Sequence, residues 1–119
     1  MHAFVNVMEE DQLPEGQIRK VTVQGREILL ARAGGMVFAG ENRCPHFSGD
    51  LSKGTLNGTV ITCPSHHSEF DLRDGRVLRW TSLTGIALKA ASILKPPRPL
   101  TVYPAKIENG AILVSIGTA

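Results

Sequence analysis

The sequence predicts an all-β domain, a small antiparallel barrel or sandwich that carries one short helical insertion. Two observations predict the strands. Short runs rich in valine, isoleucine and leucine recur at close spacing, as in sheets built from many short strands. Pairs of turn-forming residues separate several of these runs, most clearly Gly34-Gly35, Asp74-Gly75 and Asn109-Gly110. No internal repeat or low-complexity stretch interrupts the pattern.

The strands are expected in a simple order along the chain. The first begins at Phe4 and leads into a polar loop at 13–16. Three runs then follow closely, joined by Gln24-Gly25 and Gly34-Gly35, and the last two are joined by Asn109-Gly110, a favoured type I′ turn. The predicted strands are 4–7, 17–23, 27–33, 36–39, 59–62, 70–72, 76–78, 102–103, 105–108 and 111–116.

One segment, about 82–95, has a helical period instead. Its apolar residues recur at intervals of three and four. Ser82 or Thr84 could cap the start, Pro96-Pro97 would end the helix, and Gly85 weakens the prediction. We expect a helix packed on the barrel, and a partner-docking surface or a membrane-surface contact is the alternative. The apolar residues are Leu83, Ile86, Ala87, Ala90, Ile93 and Leu94.

Length and composition indicate one domain, 1–119. Charged residues make up 20% and hydrophobic residues 42% of the chain, which is ordinary for a globular protein. A formal charge of +2 without a basic run argues against nucleic acid as a partner. Acidic residues 9–11 interrupt the start before a signal peptide could form, and no apolar stretch is long enough for a membrane span. We therefore expect a cytoplasmic protein.

The chain has only two cysteines, and each lies in a short motif with a histidine. The motifs are Cys44-Pro45-His46 and Cys63-Pro64-Ser65-His66, with sixteen residues between them. A disulfide would leave both histidines unexplained. Two thiolates and two imidazoles suit a soft metal centre. Their division between two similar motifs suits a cluster of two irons, in which one iron takes the cysteines and the other the histidines. Structural zinc remains an alternative, because zinc also takes two cysteines and two histidines.

Cys-x-His followed by Cys-x-x-His resembles the signature of Rieske-type ferredoxins. The resemblance implies a small β-domain with one [2Fe–2S] cluster per chain, held by loops at about 42–70. It implies that Cys44 and Cys63 bind the inner iron, and that His46 and His66 bind the outer iron and expose their other ring nitrogen. Acidic residues near these loops, Asp50, Glu69, Asp71 and Asp74, are expected to be merely solvated.

The same resemblance suggests how the potential is tuned. In high-potential members a serine two residues after the last histidine donates to a bridging sulfide, and a tyrosine two residues further on donates to a ligand sulfur. Those positions are Ser68 and Phe70 here, so one donor is kept and one is absent. Because such bonds strengthen as negative charge accumulates, we expect a potential in the intermediate-to-low part of the Rieske range.

Three further positions bear on the surface around the cluster. Pro97 and Pro99 lie in a Pro-Pro-Arg-Pro stretch that matches the family's proline loop, which covers the cluster from a third side. A plain helix terminator is the alternative interpretation. His67 stands where the family usually has glycine, and Ser65 where a tryptophan is common. The spacing favours His66 over His67 as the ligand.

The predicted function is that of a one-electron carrier between a reductase and a terminal oxygenase or similar enzyme. A further cysteine pair, common in respiratory Rieske proteins, is missing, which places the resemblance in the soluble ferredoxin branch. No open iron position and no nucleophile–base pair is expected, so neither enzymatic activity nor a small-molecule substrate is predicted. A subunit or regulatory module of a nitrite-reductase-like enzyme is the alternative.

Overall fold

The computed structural model describes residues 3–45, 49–65, 67–80 and 97–116. The described part is built from strands and two short 3-10 turns, Glu10–Gln12 and Leu51–Lys53. The strands are β1 (Val5–Glu9), β2 (Ile18–Val23), β3 (Arg26–Ala33), β4 (Met36–Glu41), β5 (Thr55–Asn57), β6 (Val60–Thr62), β7 (Glu69–Asp71), β8 (Val77–Arg79), β9 (Val102–Tyr103), β10 (Ala105–Glu108) and β11 (Ala111–Val114).

The strands form three antiparallel sheets, which confirms the predicted all-β class. Their orders are β1-β11-β10, β2-β3-β4-β9 and β5-β6-β7-β8. The third sheet is inserted between β4 and β9 of the second. In the sequence, β5 and β6 lie between the two cysteines and β7 and β8 follow the second one. The third sheet therefore borders both metal-binding motifs. Within the described residues, no helix is long and apolar enough to cross a membrane.

The predicted hairpin turns have the backbone that their residues favour. Gly34 and Gly35 have φ of 61° and 77°, and Asn109 and Gly110 have φ of 53° and 77°. Positive φ at both central residues is the type I′ geometry, which matches the twist of antiparallel strands. The first turn is also tied to Glu15, whose carboxylate accepts the N–H groups of Gly34 and Gly35 at 2.7 and 2.9 Å.

Strand β3 lies between two hydrophobic clusters, and this explains its nearly continuous apolar sequence. Leu29 and Ala31 face a cluster beneath the cysteines, whereas Ile28 and Leu30 face a cluster against the first sheet. All four are fully buried. Alternate side chains of a strand point to opposite faces, so a stretch of strand covered on both faces is apolar at successive positions.

Several features differ from the sequence predictions, including the ends of most strands by one or two residues. Leu13, placed in a polar loop, is fully buried in the second cluster. Strand β5 was not predicted, because Thr55–Asn57 has a single apolar residue. Strand β7 begins at Glu69 and β8 ends at Arg79, so both ends of that hairpin differ by one residue. The predicted helix at 82–95 lies outside the described residues.

Candidate metal centre

The two cysteines are carried by loops that follow β4 and β6. Cys44 and Cys63 are each 1% exposed and belong to the same hydrophobic cluster. They are not joined in a disulfide. Two buried thiols are thus presented from neighbouring loops.

Backbone hydrogen bonds close each loop around its cysteine. The N–H of Cys44 donates to the carbonyl oxygen of Gly49 at 2.9 Å. In the second loop the N–H of Cys63 donates to Ser68 at 2.8 Å, and the N–H of His67 donates back to Cys63 at 3.1 Å. His67 has φ of 62°, a region that favours glycine, which explains why glycine suits this position in the family.

The loops approach so closely that only glycine fits at Gly49. A Cβ built there would lie 2.7 Å from Cys63 Sγ and 3.1 Å from Ser65 Oγ. At the end of the same loop, a Cβ on Gly54 would lie 1.9 Å from the carbonyl oxygen of Thr62. The loop after β4 is therefore in close contact with β6 and with the loop that carries Cys63. Two buried thiols on touching loops fit a metal group that takes one cysteine from each motif.

A network of polar hydrogen bonds holds the loop that carries Cys44. The side-chain amide of Asn42 donates to Asp50 Oδ1 at 2.8 Å, and its oxygen accepts the N–H of Ser52 at 2.7 Å. Asp50 also accepts the Ser52 hydroxyl at 2.6 Å and lies 3.8 Å from Lys20 Nζ. The hydrogen bond from Ser52 lowers the pKa of Asp50 most strongly. Asp50 is thus structural, and the expectation that it is merely solvated is wrong.

Asp71 is the centre of a second network that the sequence did not reveal. Its side chain is 3% exposed and accepts from Thr59 Oγ1 at 3.1 Å and from Arg73 Nη2 at 2.7 Å. Arg76 Nη2 lies 3.3 Å away. The hydrogen bond from Arg73 holds the pKa of Asp71 well below its usual range. Asp71 also was expected to be merely solvated, and that is wrong because the carboxylate is buried and hydrogen-bonded on several sides.

This second network supports the proline loop. The N–H of Gly75 donates to the main-chain oxygen of Asp71 at 2.7 Å, and the N–H of Leu100 donates to Gly75 at 2.9 Å. Pro97, Arg98 and Pro99 precede Leu100 and are exposed. Arg98 Nη2 donates to the carbonyl oxygen of Pro45 at 3.1 Å. The proline loop therefore lies against the first cysteine motif and is tied to the β7–β8 turn.

The described residues contain part of the predicted site. Ser68 is fully buried, and its hydroxyl donates to the main-chain oxygen of Trp80. Phe70 is fully buried on β7, and Trp80 lies in the same cluster as the cysteines. His46 and His66 lie outside the described residues. The roles of Ser68, Phe70, Pro97 and Pro99 at a cluster stay predictions.

Comparisons with known proteins point to one family. A family model described as the Rieske [2Fe–2S] domain matches residues 3–103. The chain is 34% identical over 106 residues to the ferredoxin component of the naphthalene 1,2-dioxygenase/salicylate 5-hydroxylase systems of a Ralstonia species, covering 89% of this chain and 88% of the relative.

Solved structures agree with this family. The ferredoxin of carbazole 1,9a-dioxygenase from Nocardioides aromaticivorans IC177 has a TM-score of 0.75 and 28% identity, with 94% of this chain and 96% of that chain covered. A chain in the complex of reduced oxygenase and oxidised ferredoxin in carbazole 1,9a-dioxygenase has a TM-score of 0.76 and 26% identity. That match covers 98% of this chain and 95% of the other.

Proposed function

Because this chain belongs to the family of Rieske [2Fe–2S] domains, we propose that it carries single electrons from a reductase to a terminal oxygenase. The observation that carries the proposal is the pair of buried cysteines on touching loops, inside a chain whose relatives are ferredoxin components of dioxygenase systems. The protein is an electron carrier rather than an enzyme, and its cofactor is one [2Fe–2S] cluster.

Cys44 and Cys63 are the proposed ligands of one iron, and His46 and His66 those of the other. When bound, such a cluster takes up and releases one electron at about −150 to +300 mV, against about −400 mV for clusters with four thiolates. The physical reason is charge, since two neutral imidazoles replace two thiolates and adding an electron then costs less. His66 is preferred over His67 because it has the family's spacing from Cys63.

The surrounding residues hold the ligands and exclude water. Gly49 lets the loops touch, Asp50 fixes the first loop, and the burial of Leu51 and Phe70 keeps the inner side apolar. Phe70 supplies no hydroxyl to a ligand sulfur, which favours a potential in the intermediate-to-low part of the Rieske range. In the structure the hydroxyl of Ser68 donates its single proton to the main-chain oxygen of Trp80, so it would have to turn away from Trp80 to donate to a bridging sulfide.

A cytoplasmic location is part of the proposal. It is supported by the likeness to ferredoxin components of dioxygenase systems. The proposed partners are a reductase and a terminal oxygenase. Association with a larger reductase as a permanent subunit is the second candidate, and it predicts co-purification of a stable complex from the native source.

The test is spectroscopic. The purified protein should be red-brown, contain about two irons per chain, and give a reduced-state electron paramagnetic resonance signal with the low average g value of histidine-ligated clusters. Cys63→Ser should lose the cluster, whereas Ser65→Ala, two residues away and exposed, should keep it. A colourless protein that binds zinc, or that stays free of iron after anaerobic reconstitution, would overturn the proposal.

A further inference from the structure

A charged cleft borders the first cysteine motif on the side of the proline loop. Its volume is about 490 Å³, and its walls include Cys44 and Pro45 together with Arg43 and Arg98. The remaining lining residues are Glu41, Pro99 and Thr101. The cleft thus reaches a proposed iron ligand from the side of the proline loop.

The two arginines differ from most others in the described part of the chain. Arg32, Arg73 and Arg76 are held by carboxylates at 3.3 Å or less, and Arg79 lies 3.7 Å from Glu69. Arg43 and Arg98 are exposed, and within the described residues neither takes part in an ion pair. Their charges are therefore available to a ligand from outside.

Arg98 is also held in place. One of its N–H groups donates to the carbonyl oxygen of Pro45, and its loop is tied to the β7–β8 turn through Leu100. A guanidinium has five N–H donors, so others remain for an incoming group. Planar guanidinium groups bind carboxylates through paired hydrogen bonds, and a fixed one loses less entropy when it does so.

We propose that the cleft between Arg43 and Arg98 docks acidic side chains of a redox partner. The inference rests on the proposed function, since it assigns a partner surface to the same cluster. A carboxylate bound there would lie beside Pro45, the residue that follows Cys44, and would bring the partner close to the cluster. Among the described residues that line the cleft, only Glu41 is acidic, and it opposes such binding.

A labelled hexaglutamate peptide tests the docking surface directly. Its affinity for the holoprotein, measured by fluorescence anisotropy at low salt, should fall about fivefold or more in Arg43→Glu, which loses one exposed ion pair and adds a repulsion. Arg43→Gln should fall less, Glu41→Gln should bind more tightly, and added salt should weaken all binding. Arg19→Glu is the matched control, since Arg19 is exposed on β2 and does not line the cleft.

A kinetic readout separates docking from driving force. Ferricyanide takes one electron from the reduced protein and becomes ferrocyanide. The glutamate of Arg43→Glu would place a negative charge beside the cluster and make the reduced cluster a stronger reductant. If driving force decided the rate, the variant would therefore be oxidised faster. Arg43→Glu should instead slow oxidation by this anion at low salt by about threefold or more.

Equal effects of Arg43→Glu and Arg19→Glu on peptide affinity would overturn the docking surface, because only net charge would then matter. A faster oxidation of Arg43→Glu by ferricyanide would overturn it as well.

The visible spectrum of each variant is recorded first. A normal wild-type spectrum with no effect of Arg43 rejects the docking surface alone, whereas a wild-type protein without the cluster spectrum rejects the proposed function with it.

Discussion

At Gly49 the space between the two cysteine loops is too small for any side chain. An added Cβ would lie 2.7 Å from Cys63 Sγ, so Gly49→Ala must push the proposed ligand or its loop aside. We expect the variant to lose iron to a chelator about tenfold more readily, the range seen when groups that orient metal ligands are removed. Iron content after dialysis against the chelator is the measurement.

Gly58→Ala is the control for this prediction. Gly58 has φ of 61°, and nothing lies within 4 Å of an added Cβ, so the change costs about 1 kcal/mol of backbone strain without a steric clash. It should lower the melting temperature and keep the iron. Equal iron loss in both variants would mean that general destabilisation, rather than contact with Cys63, controls cluster retention.

The backbone conformation of His67 costs conformational free energy that a glycine at this position would not cost. Its φ of 62° lies in the left-handed region, where a side chain costs about 1 kcal/mol. We therefore expect His67→Gly to stabilise the holoprotein by about 1 kcal/mol, or roughly 4 °C in Tm. His67→Ala should give no such gain, because alanine has the same clash between Cβ and backbone. Thermal unfolding of both variants is the measurement.

The same two variants test the choice of ligand. If His66 binds the iron, both should keep the full visible spectrum and iron content. Loss of the cluster in His67→Gly and His67→Ala alike would show that His67 is a ligand and that the spacing argument is wrong.

At the scale of elements, the turn between β7 and β8 depends on one buried carboxylate. Asp71 is 3% exposed and bonded to Thr59, Arg73 and Arg76, and the turn it shapes holds Leu100 at the base of the proline loop. Both arginine side chains are more than half exposed, so solvent screens their contribution. We expect Asp71→Asn to lower the free energy of unfolding by about 2 kcal/mol at neutral pH.

Asp74→Asn is the matched change in the same turn. Asp74 is exposed, and its Oδ1 accepts the N–H of Arg76 at 2.9 Å, a bond that an asparagine oxygen can also accept. Denaturant unfolding should show a loss below about 0.5 kcal/mol for this control. A similar loss for both substitutions would show that the turn, and not the buried carboxylate, supplies the stability.

How far an element could be predicted from the sequence depended on where its stabilising contacts come from. β3 was evident, because burial on both faces requires the apolar run that the sequence displays. β5 was missed, because Thr55–Asn57 is held by pairing with β6 and carries almost no signal of its own. The buried Asp71 was missed for a related reason. Its partners are brought together only by the fold, although Phe-Asp-Leu followed by two arginines is the pattern that could have indicated it.

The metal site was predictable to a different extent. Four ligands of two types in a fixed order identify the motifs without any knowledge of the fold, because metal chemistry restricts both residue type and spacing. The contact between Gly49 and Cys63, and the tie from Arg98 to Pro45, join residues distant in the chain. Only the folded arrangement reveals them.

At the scale of the whole molecule, the part around the cysteines is held by charged side chains as much as by strands. The four strands of the third sheet have three residues each, whereas β2, β3 and β4 have six to eight. Short strands contribute few ladder hydrogen bonds. Asp50 and Asp71 supply further hydrogen bonds near this sheet, and both carboxylates have a lowered pKa.

The lowered pKa of these carboxylates predicts how stability depends on pH. A group whose pKa is depressed in the folded state stabilises it fully above its unfolded value, here 3.8 for Asp71, and loses that contribution as pH falls through the folded pKa. We therefore expect the stability difference between the wild type and Asp71→Asn to be constant above about pH 5 and to shrink steadily below it. Denaturant unfolding of both proteins from pH 7 to pH 3, followed by far-ultraviolet circular dichroism, measures this difference at each pH. Because both proteins are compared at the same pH, any loss of the cluster in acid affects both and cancels in the difference. A difference that grows as the pH falls would have the wrong sign for a stabilising carboxylate and would contradict the role assigned to Asp71.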